Sequence, residues 1–150
     1  MHLREFFTPD AVSLDLPGTD KDTVLGELVR LVGVEPRAGD TLLRVLQRRE
    51  SLGSTGMGRG IAIPHCRSLV ANRLRLAYGR SRQGVEYQAI DGRPVHHLFL
   101  IVAPPLEISN QYLPVLGRIA QFAKEPDVPD RLASLSRPQE FFRLLEEKGV

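Results

Sequence analysis

Two periodicities alternate along the chain. The first apolar cluster, residues 3–7, is short enough for a single helical turn before Thr8-Pro9. Val12, Leu14 and Leu16 then alternate with polar neighbours, which predicts a strand ending at Pro17-Gly18. Thr19 or Asp20 is placed to cap a helix reaching about Val32, because Val24, Leu25, Leu28, Leu31 and Val32 fall on one stripe. Gly33 stops it. Asp40 is the expected cap of a second helix, with Leu42, Leu43, Val45 and Leu46 on its buried side and Arg48, Arg49 and Glu50 at its end. Residues 54–60 are too rich in glycine for helix or strand, and the short apolar run 61–63 leads into Pro64-His65. Leu74, Leu76 and Tyr78 alternate as a half-buried strand, residues 85–87 suit an edge strand, and residues 97–103 are apolar on both faces, as a central strand requires. Helical spacing returns from Asn110 through Tyr112, Leu116, Ile119 and Ala123, with Pro114 confined to the first turn. A short helix over 128–135 follows. Ser136 and Gln139 have the spacing of a capping box for a last helix through Leu145. Interleaved helices and buried strands predict an α/β domain, a mixed sheet flanked by helices, as one unit over residues 1–150.

Composition narrows the class. A chain of 150 residues, 42% hydrophobic and 25% charged, suffices for one core without disulfides. Cys66 is the only cysteine, so no disulfide closes within the chain and a cytoplasmic setting is expected. The N-terminus does not read as a signal peptide, and the longest apolar run, 98–105, is too short to span a bilayer, so a membrane-embedded protein is not expected. Twenty Lys and Arg against eighteen Asp and Glu leave a formal charge of +2, which argues against nucleic acid as a partner. Arginine is nevertheless concentrated between Arg44 and Arg82. This reads either as a basic face for an acidic partner or phosphate, or as separately solvated side chains.

The stretch from Arg49 to Cys66 carries the chemistry. Gly56, Gly58 and Gly60 permit positive φ and close approach of backbone to a ligand, and successive N–H groups in such a loop can form an anion nest. Ser54 and Thr55 add hydroxyls, and Arg49 and Arg59 add guanidinium groups suited to phosphate. Pro64 restricts the backbone before His65, whose neutral imidazole is a nucleophile near pH 7. Each residue also has a plain structural reading: a histidine after proline, a helix-terminal arginine, hydroxyls serving a turn. Adjacent His96 and His97 point to opposite faces of a strand and do not share a metal readily. The expectation is His96 on the sheet surface, His97 partly buried, and no metal.

Arg49-Glu50, the glycine-rich segment 53–60 and Ile61-Ala62-Ile63-Pro64-His65-Cys66 resemble the type-2 IIA family of phosphotransferase systems. That family comprises fructose- and mannitol-type IIA domains and nitrogen-regulatory IIA proteins, and the similarity runs through residues 89–95 into the central strand. The resemblance implies that His65 accepts phosphate from a phosphocarrier resembling HPr, that Arg49 balances the phosphate charge, and that Ser54, Thr55, Gly56 and Gly58 support the site. No cofactor is implied. A IIB domain or a regulatory target is the implied recipient, with the nitrogen-regulatory branch favoured over a sugar-transport subunit or a non-phosphorylated binding module. One position departs from the pattern: where many relatives carry a second histidine, this chain has Tyr112, which also suits a core position.

Overall fold

The computed structural model describes residues 1–106 and 110–150. After a 3-10 turn (Leu3–Phe6), β1 (Phe7–Ser13) leads to α1 (Lys21–Leu31) and α2 (Pro36–Ser51). Three short strands follow, β2 (Gly56–Gly58), β3 (Ile61–Ala62) and β4 (His65–Arg67). Two long ones come next, β5 (Arg75–Val85) and β6 (Val95–Ala103), then α3 (Tyr112–Lys124), α4 (Val128–Ala133) and α5 (Pro138–Glu147). The sheet runs β1-β5-β6-β3-β2, with β4 also on β6, and it is mixed: β5 is antiparallel to β6, while β3 and β4 are parallel to it. The expected α/β architecture is what the chain adopts.

The sheet separates two apolar layers. On one face Leu25, Leu28, Leu42 and Leu46 of α1 and α2 pack over Ala62, Cys66, Leu98 and Leu100. On the other, Val115, Ile119 and Phe122 of α3 and Phe141 of α5 pack over Ile61, Ile63, Tyr78, Phe99 and Ile101. Each fully buried leucine or phenylalanine contributes about 1.5–3 kcal/mol. Because β6 is buried on both faces, its unbroken apolar run marked it as central from sequence.

Local chemistry explains where expectation and structure part. Asp20 does cap α1, its carboxylate accepting from the Thr23 N–H at 3.0 Å. Asp40 does not cap α2. The helix starts at Pro36, whose missing N–H and fixed φ suit the first helical position, and Asp40 lies inside it. At α5 the carboxylate of Glu140, not Gln139, reaches back to the N–H groups of Arg137 (3.0 Å) and Ser136 (3.2 Å), again with a proline opening the helix. β1 spans Phe7–Ser13 and not 12–16. The separate edge strand expected at 85–87 is absent: β5 runs unbroken to Val85 between β1 and β6, its alternation hidden by the polar stretch 80–83.

One register feature fixes the segment before Cys66. Ile61 faces His97 and Ala62 faces Leu98. After a two-residue interruption, His65 faces Ile101 and Cys66 faces Val102, with the offset unchanged. The Pro64 carbonyl still accepts from the Ile101 N–H at 3.0 Å. The histidine is thus set on the α3 side of the sheet by ladder pairing before and after it.

Candidate functional site

His65 opens β4 and is half-buried. Its Nδ1 lies 2.7 Å from the Ile63 carbonyl oxygen, which has no proton to give, so Nδ1–H donates and Nε2 keeps its lone pair. The ring centroid of Tyr112, the first residue of α3, is 6.3 Å away. Over the Tyr112 ring lies the Arg67 guanidinium, 4.3 Å from the centroid, with its Nη1 donating to the Pro104 carbonyl at 3.2 Å. Burial pushes the Tyr112 phenol up to about 12, aided by Cys66, while the charges of Arg67 and Arg49 pull it down. Tyr112 therefore stays neutral at physiological pH and is no proton acceptor. The Cys66 thiol, on the opposite face, is pushed up to about 12 by burial, leaving it a small unreactive apolar group.

Arg49, in the last turn of α2, donates through Nη1 to the Gly53 carbonyl at 2.8 Å, while its charge reaches both Tyr112 and Tyr87. That contact ties the guanidinium to the backbone just past the helix end. Next to it Glu50 is buried, 8% exposed, where a carboxylate at a helix C-terminus needs compensation. It has that compensation: Lys21 Nζ at 3.1 Å, the Thr55 N–H at 3.1 Å, the Tyr87 hydroxyl at 2.9 Å and the Thr55 hydroxyl. Lys21 also sits 4.3 Å from the Tyr87 ring centroid. Burial, then the Glu50 charge, drives the Tyr87 phenol well above its usual range.

This cluster redistributes the residues singled out from sequence. Arg49 and His65 are linked through Tyr112, whose ring lies 6.3 Å from that of His65 and feels the Arg49 charge. The Thr55 hydroxyl is engaged by Glu50 and Tyr87, and the Ser54 hydroxyl donates to the Tyr87 carbonyl at 2.7 Å and accepts from the Gly56 N–H at 3.0 Å. Both hold the segment after α2 in shape instead of presenting free hydroxyls. Residues 54–60 are not an irregular loop: β2 and β3 form a tight antiparallel hairpin turned by Arg59 and Gly60, both at positive φ. Gly56 is glycine because a Cβ would come within 2.7 Å of the Ala89 Cβ, and Gly58 because its φ is +91° with the Asp91 carboxylate beside it. Arg59 points away from His65, donating to the Ala123 and Glu125 carbonyls at 2.9 and 3.0 Å, at the far end of α3 from Tyr112.

The neighbouring histidines also differ from expectation. His97 is fully buried, not partly, and Nδ1 shares a 2.9 Å hydrogen bond with the Tyr78 hydroxyl. Burial, with the charges of His96 and Arg80, lowers its pKa to about 4, against the Pro129 carbonyl bonded to the ring. Among the described residues no group of His, Cys, Asp and Glu is placed to hold a metal ion. Lys21, Glu50, Arg67 and Tyr87 were missed as site-forming residues. The one signal was a glutamate in the last turn of a helix, where its charge opposes the dipole and calls for a partner.

A six-stranded mixed sheet between helical layers, with His65 opening a strand beside the Tyr112 ring, defines a layered α/β domain. Residues 5–148 match the family described as phosphoenolpyruvate-dependent sugar phosphotransferase system, EIIA 2, and the chain belongs to that family. It is 34% identical over 147 residues to a nitrogen regulatory protein of Pseudomonas aeruginosa, covering 97% of this chain and 95% of that one. It is 31% identical over 134 residues to a fructose-specific EIIABC component of Bacillus subtilis, covering 88% of this chain but only 21% of that protein. The crystal structure of the nitrogen regulatory protein IIA-Ntr from Neisseria meningitidis superposes with a TM-score of 0.85 at 28% identity, covering 94% and 97% of the two chains. Among the described residues no helix is long and apolar enough to cross a membrane.

Proposed function

We propose that this chain relays phosphoryl groups within a phosphoenolpyruvate-dependent phosphotransferase system, with His65 Nε2 as the acceptor and a phosphohistidine carrier resembling HPr as the donor. The observation that carries the reading is the 2.7 Å contact of His65 Nδ1 with the Ile63 carbonyl. It fixes the tautomer, so the Nε2 lone pair attacks phosphorus, the new N–P bond forms, and the donor's N–P bond breaks with its electron pair returning to the donor ring. The Nδ1 proton remains held by the Ile63 carbonyl. Arg49 and Arg67 supply cationic charge where the equatorial phosphoryl oxygens develop it. Ser54, Thr55, Gly56 and Gly58 act indirectly, by shaping the turn and hairpin between Arg49 and His65.

The nitrogen-regulatory branch is the better fit, because similarity to the Pseudomonas protein extends over nearly the whole of both chains. The recipient is then a cytoplasmic regulatory target. A sugar-system role, handing the phosphoryl group to a IIB domain, is the second reading, favoured by the similarity to the fructose component.

Intact mass spectrometry at alkaline pH, after mixing the chain with phosphoenolpyruvate, enzyme I and an HPr-type carrier, tests the assignment. One added phosphoryl group, lost on acidification and absent from His65→Ala, is expected. Labelling that survives His65→Ala, or no labelling of the native chain, would refute it.

A further inference from the structure

The other end of β6 holds a second arrangement of charge that the phosphoryl reading does not use. Arg80 projects from β5 into the interior and is only 3% exposed, where the sequence had placed it on a basic surface. Its Nε donates to the Leu14 carbonyl at 3.0 Å, and its Nη1 to the carbonyls of Leu132 (2.9 Å) and Leu135 (2.8 Å) at the end of α4. Its Nη2 is buried and has no hydrogen-bond partner among the described residues. Buried donors are almost always paired, and a guanidinium N–H left alone marks a place where a ligand or water belongs.

Arg80 lines a cleft of about 410 Å³ closed by Pro129 and Asp130 of α4, within the size range of small-ligand sites. Arg82 and His96 share the lining. His96 uses Nδ1 on the Ser81 carbonyl at 2.8 Å, which leaves its Nε2 as the remaining polar atom of the ring. A neighbouring cavity of about 470 Å³ shares Arg59, Gly60, His96 and Pro129 and adds Arg93. Four arginines line the two cavities against a single acid, Asp130. Arg59 is tied to carbonyls at the end of α3 and contributes charge alone, while Arg82 is paired at 3.7 Å with Asp15 across two exposed side chains, a solvent-screened pair that a ligand can displace.

We propose that this cleft binds a small, multiply charged oxyanion, phosphate-bearing or polycarboxylate. Guanidinium groups match both oxyanions in shape and charge, and a desolvated one binds them more strongly than an exposed one does. The cleft lies at His97, four residues before the Ile101 that faces His65, or about 13 Å along the strand. A ligand there does not cover His65. It does touch Gly60, whose carbonyl accepts the His96 and His97 N–H groups at 2.8 and 2.9 Å and whose chain continues into β3.

The site is independent of phosphoryl relay, so its test uses the His65→Ala protein as well as the native chain. Pyrophosphate and citrate are titrated separately into ¹⁵N-labelled protein at low salt, following the backbone amides of Ser81, Arg82 and His96. Saturable shifts at these amides in both proteins, weakened about tenfold by Arg82→Ser or Arg93→Ser, are expected. A response to pyrophosphate alone assigns a phosphate-bearing ligand, and to citrate alone a polycarboxylate. No shift at millimolar ligand, shifts centred on residues 49–56, or affinity indifferent to both arginine substitutions would overturn the site and leave Arg80 Nη2 to water.

Discussion

His65 and His97 sit on neighbouring strands of one sheet and face the same helical layer, yet their surroundings make them opposite kinds of histidine. His65 is half-buried, has one ring nitrogen tied to a backbone carbonyl and leaves the other available. His97 is buried, bonded to the Tyr78 hydroxyl and Pro129, and held neutral by burial with its pKa near 4. The comparison teaches that residue type and strand position do not make a nucleophile. Solvent access and a ring held by one nitrogen only are what single out His65 as the proposed acceptor.

The sharpest way to break this contrast is to exchange the losses. His65→Ala is expected to abolish phosphoryl labelling entirely while His97→Ala keeps it, read by intact mass; labelling lost in His97→Ala but kept in His65→Ala would invert the assignment. Next in size, urea unfolding is expected to show His97→Ala destabilised by about 2–4 kcal/mol, since it opens a cavity and strands the Tyr78 hydroxyl. His65→Ala should stay within about 0.5 kcal/mol of native, as half-buried substitutions outside the core do.

The pH dependence follows from His97. Its folded pKa of about 4 lies below its ordinary 6.5, so the unfolded chain binds the proton first and stability falls as pH drops from 6.5 toward 4. The loss is about 3 kcal/mol from this group alone, and comparing denaturation of native and His97→Phe proteins at pH 7 and pH 4.5 isolates it. A native curve as flat as the variant's would remove the buried neutral histidine from the account. Smaller again, Arg49→Ala is expected to slow transfer from the carrier by about tenfold, the worth of one charge-assisted contact to phosphate, in rapid-quench measurements. Tyr112→Phe should change that rate by less than about threefold, because a neutral phenol contributes no proton transfer. A larger drop would make its hydroxyl a participant.

What the sequence disclosed follows the range of the interactions. α1 was readable because Asp20 and Thr23 are three residues apart, and β6 because burial on both faces leaves an unbroken apolar run. His65 stood out through the motif around it. Arg80 was misread as surface charge because the carbonyls that receive it belong to residues 14 and 132–135, contacts no local pattern encodes. For Ser54 and Thr55 the sequence leaves both a site role and a turn role open, and the turn role is the one seen: Thr55 bonds Glu50 five residues before it, while Ser54 reaches Tyr87, which is brought close only by packing. The hairpin at Arg59 was hidden by glycines that suggested a loop, although two successive residues at positive φ are what a tight turn between strands requires.

The constant offset of β3 and β4 against β6 makes the segment between them behave as a ruler. Side chains along it can be exchanged without disturbing the aim of the imidazole, because the ladder on either side sets the pairing. A deletion or insertion of one residue between Ala62 and His65 is a different kind of change: it would carry the ring through the sheet to the α1–α2 side. The aim of the proposed acceptor thus depends on the length of this segment more than on the side chains along it.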